Sequence, residues 1–234
     1  MKTLKLAVLA LVLFAAPAFA TPVQQVTGVG DHWVLDYNGL VDVNGVATVM
    51  PGLSARVGFK VTGMYYDAGL NRTILEMDIT VVNTSDASIW QHATVSGIGF
   101  DTNPNVKRVG SGSSGDYGFV ALNKPLPTSA GFMVEVCVSG RLNQCNGPAS
   151  NATQIGQVGH ADVSLAFFGN WTAPIDFSNF GIRYADLFSS QLGVNGFAGI
   201  GLPVTPPIPE PASAAVFGIG ALLVGAAIRR QRAN

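Results

Sequence analysis

The sequence predicts an all-β body, a single β-sandwich of jelly-roll or immunoglobulin-like outline, held between two hydrophobic routing segments. Three observations carry this expectation. Period-two alternation recurs: Val57, Phe59 and Val61 alternate with Arg56, Gly58, Lys60 and Thr62, and Leu75, Met77, Ile79 and Val81 with Glu76, Asp78, Thr80 and Val82. Such spacing sends apolar side chains to one face of a strand and polar ones to the other. Turn-forming clusters separate the apolar runs, at Asn44-Gly45, Pro51-Gly52, Asn83 to Ser88, Asp101 to Asn105, Gly110 to Gly115 and Asn146-Gly147-Pro148. No amphipathic helical pattern interrupts residues 21–200.

At the N-terminus, residues 1–20 read as a secretory signal peptide. Lys2 and Lys5 precede an apolar run from Leu6 to Ala16, and Ala18 and Ala20 supply the small residues for cleavage after Ala20. That run is too short to span a bilayer, which takes about 20 residues. Export makes nucleotide cofactors unlikely partners and disulfides permissible. Of the 14 acids only Glu210 lies beyond the body, whereas five of the 13 bases do, so the body carries a formal charge of −5. A net acidic body does not attract nucleic acid.

Within the body, residues 21–200, less regular β-like runs occupy Trp33–Tyr37, Ile89–Phe100, Gly118–Leu122, Phe132–Val138, Asp162–Phe168 and Phe180–Tyr184. Cys137 and Cys145, the only cysteines, enclose seven residues. In an oxidising compartment so close a pair is expected to form one disulfide, worth about 2–3 kcal/mol on the chain-entropy model.

Local chemistry is sparse, and no catalytic residue, metal ligand set or cofactor is assigned. Gly110-Ser-Gly-Ser-Ser-Gly115 matches the dinucleotide glycine pattern but lacks the helix that pattern needs, and reads as a surface loop. His32, His92 and His160 are isolated, with no zinc-type spacing between them. Glu76 and Asp78 share one strand face and could flank a glycosidic bond, although a solvated strand face is the plainer reading. Asp101 to Asn105 and Asp42 to Asn44 offer oxygen ligands to calcium, or form Asx turns without it. Trp33, Trp90 and Trp171 could stack on sugars but are expected mainly in the core. Three functions stay open: a non-catalytic surface or matrix protein, which is preferred, a carbohydrate-binding module, and a secreted hydrolase.

Residues 201–208 read as a proline-rich stalk, with Pro203, Pro206 and Pro207 opposing helix. Leu202-Pro203-Val204-Thr205 looks like a sortase signal, but Pro206 replaces its glycine, so it belongs with the stalk. Ala212 to Ile228 carries no charge and is about 25 Å long as a helix, the short limit for a transmembrane span. Arg229, Arg230 and Arg232 follow as a cytoplasmic anchor, which leaves the body outside.

Pro209-Glu210-Pro211, the short span and the terminal arginines together closely resemble the PEP-CTERM sorting tail, over residues 209–234. The resemblance implies recognition by a membrane transpeptidase-like enzyme, exosortase. It also implies delivery from an inner-membrane intermediate to the cell surface or an exopolysaccharide matrix, with extracellular polysaccharide as a possible partner. The cysteine pair, with Phe100-Asp101-Thr102-Asn103 upstream, resembles the cysteine-bearing "cistern" subset of these proteins. On this reading the chain is the substrate of a sorting enzyme and is not itself an enzyme.

Overall fold

A computed structural model describes residues 22–43, 46–109, 114–126, 132–140, 145 and 152–204. The signal peptide with Ala18 and Ala20, the motif Pro209 to Pro211, the apolar segment and Arg229, Arg230 and Arg232 all lie outside the described residues.

Twelve strands follow one another: β1 (Gln24–Val26), β2 (His32–Val43), β3 (Val46–Asp67), β4 (Arg72–Asn83), β5 (His92–Asn103), β6 (Arg108–Val109), β7 (Ser114–Gly115), β8 (Phe119–Pro125), β9 (Met133–Ser139), β10 (Val158–Phe168), β11 (Ile175–Ser189) and β12 (Val194–Pro203). Among the described residues there is no helix, and so none long and apolar enough to cross a membrane. The all-β expectation holds. The expected pair of stacked sheets does not appear as such. All twelve strands join one antiparallel sheet in the order β6-β10-β4-β3-β2-β12-β11-β5-β9-β8, with β1 added beside β11 and β7 beside β10. The sheet curls until its end strands β6 and β8 touch, which nearly closes a barrel. Closure leaves fewer unpaired strand edges than two open sheets would.

Alternation sets the inner surface. Trp33, Leu35 and Tyr37 of β2, Ala55, Val57, Phe59 and Val61 of β3, and Leu75, Met77, Ile79 and Val81 of β4 all point inward and are buried. Rings meet in the interior: Trp33 stacks on its cross-strand partner Phe59 with centroids 5.0 Å apart, and Phe59 also meets Phe100 of β5 and Phe180 of β11 edge-on or tilted. The Phe59 contacts with β11 and β5 join strands three and four places apart in the sheet, so they hold the curl as well as fill it. β5 is less regular in sequence because it is covered on both faces from Ser96 to Phe100. Its outer side lies under a second small cluster of Leu126, Val134, Cys137 and Cys145, with Phe119 and Phe132 packed on it. Cys137 and Cys145 form the expected disulfide, and both are buried.

β12 runs through Pro203, which pairs with Tyr37, and the Val204 N–H donates to Asp36 O. The sheet therefore takes in three residues of the segment assigned to the stalk. Pro203 is tolerated because it stands at the strand end. Pro51-Gly52, expected as a turn, lies within β3, where Gly52 takes a φ of 65° beside Ile89 and Asp86.

One buried polar group fastens the curl where β4 ends. Asn83 is fully buried, and its amide Nδ2 donates to Ala93 O at 2.8 Å and to Thr153 O at 3.0 Å, while Oδ1 accepts from Ser85 N. Its backbone N–H and C=O are met by Gln157 O and Gly156 N. Thr153 in turn bridges Val95 of β5, and the buried Tyr117 hydroxyl donates to Val95 O at 2.7 Å. Replacing Asn83 by Ala removes three hydrogen bonds, to Ala93 O, Thr153 O and Ser85 N, of which Thr153 O keeps the Val95 N–H, and should cost about 2–3 kcal/mol. Chemical denaturation of N83A against the native chain measures it, and Asn83→Asp should be no milder, since it keeps the shape and loses the donors. Non-reducing peptide mapping should recover Cys137 linked to Cys145, and the buried bond should resist mild reductant until the fold is opened.

Candidate functional site

The outer faces of β3, β4 and β10 form a groove of ≈590 Å³. Register builds it. His32, Lys60, Asp78, Asp162 and Ser114 lie opposite one another on five adjacent strands, a single row across the sheet. One step along, a bulge between Val61 and Gly63 sets Glu76 against Gly63, and Ser164 faces Glu76 from β10. The bulge needs a residue without a side chain there: a Cβ on Gly63 would come within 2.6 Å of Glu76 Oε2. The absence of that side chain gives the Glu76 carboxylate its place in the groove.

Tyr65 forms part of the wall. It is about half exposed, at 52% of its surface, and its hydroxyl donates to Glu76 Oε1 at 3.4 Å. Partial desolvation, then the nearby Glu76 carboxylate, raises the Tyr65 hydroxyl above its ordinary value. Thr62, Asp67, Leu70 and Ser164 complete the rim, and Asp67 is held by accepting from Leu70 N in the β3–β4 turn. Asp78 and Asp162 face each other as direct cross-strand partners. Desolvation, then the Asp162 carboxyl, raises Asp78 above the usual carboxylate value, and Lys60 and His160 offset this in part. The Ser114 hydroxyl also donates to Asp162.

The groove can therefore offer a polyol several oxygen acceptors, two hydroxyls and one aromatic face. Glu76 and Asp78 do share a face, as the alternation predicts, but they stand on one strand and so on one wall. Asp78 and Asp162 are direct cross-strand partners on the adjacent strands β4 and β10.

Elsewhere the structure separates the candidates. Trp33 and Trp90 are core residues, with Trp90 Nε1 donating to Pro51 O at 2.9 Å, and Trp171 is packed partly against the core. His32, His92 and His160 sit on three different strands, β2, β5 and β10. In the Asp101 turn both nearby carboxylates have protein partners: Asp101 accepts from Glu135 N and Asn179, and Glu135 accepts from Thr102 N and Oγ1. Among the described residues no three His, Cys, Asp or Glu side chains gather as a metal site would require. Of the glycine-rich loop only Ser114 and Gly115 are described, and they form β7. Asp162 is the residue that sequence reasoning missed: its strand was visible, but nothing local reveals that β10 lies beside β4.

The chain matches no family model, no curated protein and no solved structure.

Proposed function

We propose that this is an exported surface or matrix protein, sorted through its C-terminal tail, whose body binds extracellular polysaccharide without catalysis. One observation carries the reading: a signal peptide, a β-body, Pro209-Glu210-Pro211, a short apolar segment and terminal arginines occur in that order. The PEP-CTERM resemblance makes the chain the cargo of an exosortase-like membrane enzyme, released from the inner membrane after the body has folded outside.

Two features of the body support it. The disulfide suits an oxidising compartment. The first and last strands also both reach the starting half of β11: β1 lies beside Ile175 to Phe177, and Gly201, near the end of β12, pairs with Ile182. A body so connected can stand on a membrane through either terminal segment without rearrangement. For the ligand, the groove between Tyr65 and Ser164 is the best-suited surface. Its carboxylates and hydroxyls can hold sugar hydroxyls, and the Tyr65 ring offers an apolar face to a pyranose. Trp33 and Trp90 take no part in this, being buried.

Changing Pro209, Glu210 and Pro211 together to alanine should leave export intact and strand the protein in the inner membrane. Cell fractionation reads the outcome, and normal arrival at the surface would sink the sorting assignment. The purified chain should retard on neutral polysaccharide gels and release no sugar. Tyr65→Ala should weaken retention about tenfold, the equivalent of one lost ring contact of ~1.4 kcal/mol. Because neutral hydrogen bonds and a ring face carry the binding, it should persist in high salt.

A further inference from the structure

The row that crosses the groove contains an arrangement that a solvated strand face does not require. Asp78 and Asp162 are direct cross-strand partners, and like charges placed opposite each other destabilise a sheet when both are ionised. They are not neutralised by an ion pair: among the described residues the one salt bridge is Arg56–Asp36, two rows away. Instead desolvation, then the facing Asp162 carboxyl, raises Asp78, so the cross-strand pair can keep one proton between its two carboxyls. Asp162 also accepts from Ser114, so three strands, β4, β10 and β7, meet at one carboxylate.

We propose that Asp78 and Asp162 form an acid-engaged latch on the floor of the groove. In mildly acid medium Asp78 donates its proton to Asp162 and ties β4 to β10. As the pH rises that proton passes to water, both carboxyls are ionised, and the tie becomes a repulsion.

The groups facing the pair set the working range. From β3 come Lys60, directly opposite Asp78, with Tyr65 and Asp67 further along; from β4 itself comes Glu76; from β10 comes His160, which lies within reach of Thr80 at 3.4 Å. Lys60 and His160 favour the ionised pair, whereas desolvation and Asp162 outweigh them at Asp78. The sign follows from the raised value of Asp78 in the folded chain. Below the ordinary aspartate value of 3.8 folded and unfolded chains are both protonated, and the latch is fully engaged. As pH rises through the folded value, the unfolded chain has already lost its proton, so the stabilisation disappears. The edge strand β7 is affected most, because it has two residues and pairs only with β10.

The latch regulates the surface assigned above to polysaccharide, and that consequence rests on the proposed function. The latch itself is tested without any ligand, so its failure and the failure of polysaccharide binding are separate results. The variant is Asp78→Asn, which keeps a donor toward Asp162 and cannot ionise. Full-length native and D78N chains in detergent are melted between about pH 3.5 and about pH 7.5. The two should coincide in acid, and D78N should melt about 2–4 °C higher at neutral pH, a shift of the size expected for ~1 kcal/mol in a domain this large. A difference that stays constant across the range overturns the latch. Should D78N fail to fold, carboxyl 13C titration of the native chain decides: Asp78 titrating above the ordinary aspartate value supports the latch, and titration at or below it overturns the proposal.

Discussion

The tie that the rest of the fold depends on is the side-chain amide of Asn83. Burial of apolar surface drives the sheet to curl, but it is non-directional and would accept several registers. The Asn83 amide accepts no substitute geometry. Its two donors must meet Ala93 O and Thr153 O, and its oxygen must meet Ser85 N, at the one place where β4 turns toward β5. A buried polar group left unpaired is costly, so a slipped strand would lose these bonds without gaining others. Asn83 thus specifies closure, while apolar burial, including the ring cluster of Trp33, Phe59, Phe100, Phe177 and Phe180, supplies the driving force.

β4 connects this core to the groove. Its inward residues Leu75, Met77, Ile79 and Val81 lie in the barrel interior, and Asn83 closes the series. Its outward residues Glu76 and Asp78 are consequently aimed at solvent, with β3 on one side and β10 on the other. A one-residue slip of β4 would bury the carboxylates and expose the core set, so the register that packs the interior also composes the groove. The bulge at Val61–Gly63 is the single local departure, and it aligns Glu76 with Gly63.

Charge is distributed in keeping with this division. The body is net acidic, and much of that acidity is spent on structure: Asp31 caps the turn to β2 by accepting from Thr27 and Gly28, Asp86 accepts from Ser88, and Asp101 and Glu135 pin β5 to β9. Those backbone and hydroxyl donors hold Asp31 and Asp86 below the usual carboxylate value. Desolvation, then the facing Asp162 carboxyl, raises Asp78, which meets another acid where those meet donors.

Much of this was legible along the chain. Strict alternation announced residues 56–62 of β3 and 75–82 of β4, because each has one face on the core and one in water, whereas Pro51-Gly52 hid the earlier part of β3 by reading as a turn. The Cys137–Cys145 bond followed from spacing and compartment, and the tryptophans were expected in the core, where Trp33 and Trp90 lie. The ends, where residues 209–234 resemble a sorting tail, are a matter of sequence alone. β12 was not legible: Gly196, Gly199 and Gly201 look like loop, yet a Cβ on Gly201 would come within 2.4 Å of Ile182, so the strand needs a residue without a side chain where β11 packs closest. Nor was the single curled sheet, since two stacked sheets and one nearly closed barrel demand the same alternation from each strand. The Asp78–Asp162 pair could not be read either. A strand states which of its residues face out; only the pairing of strands 84 residues apart decides what they face.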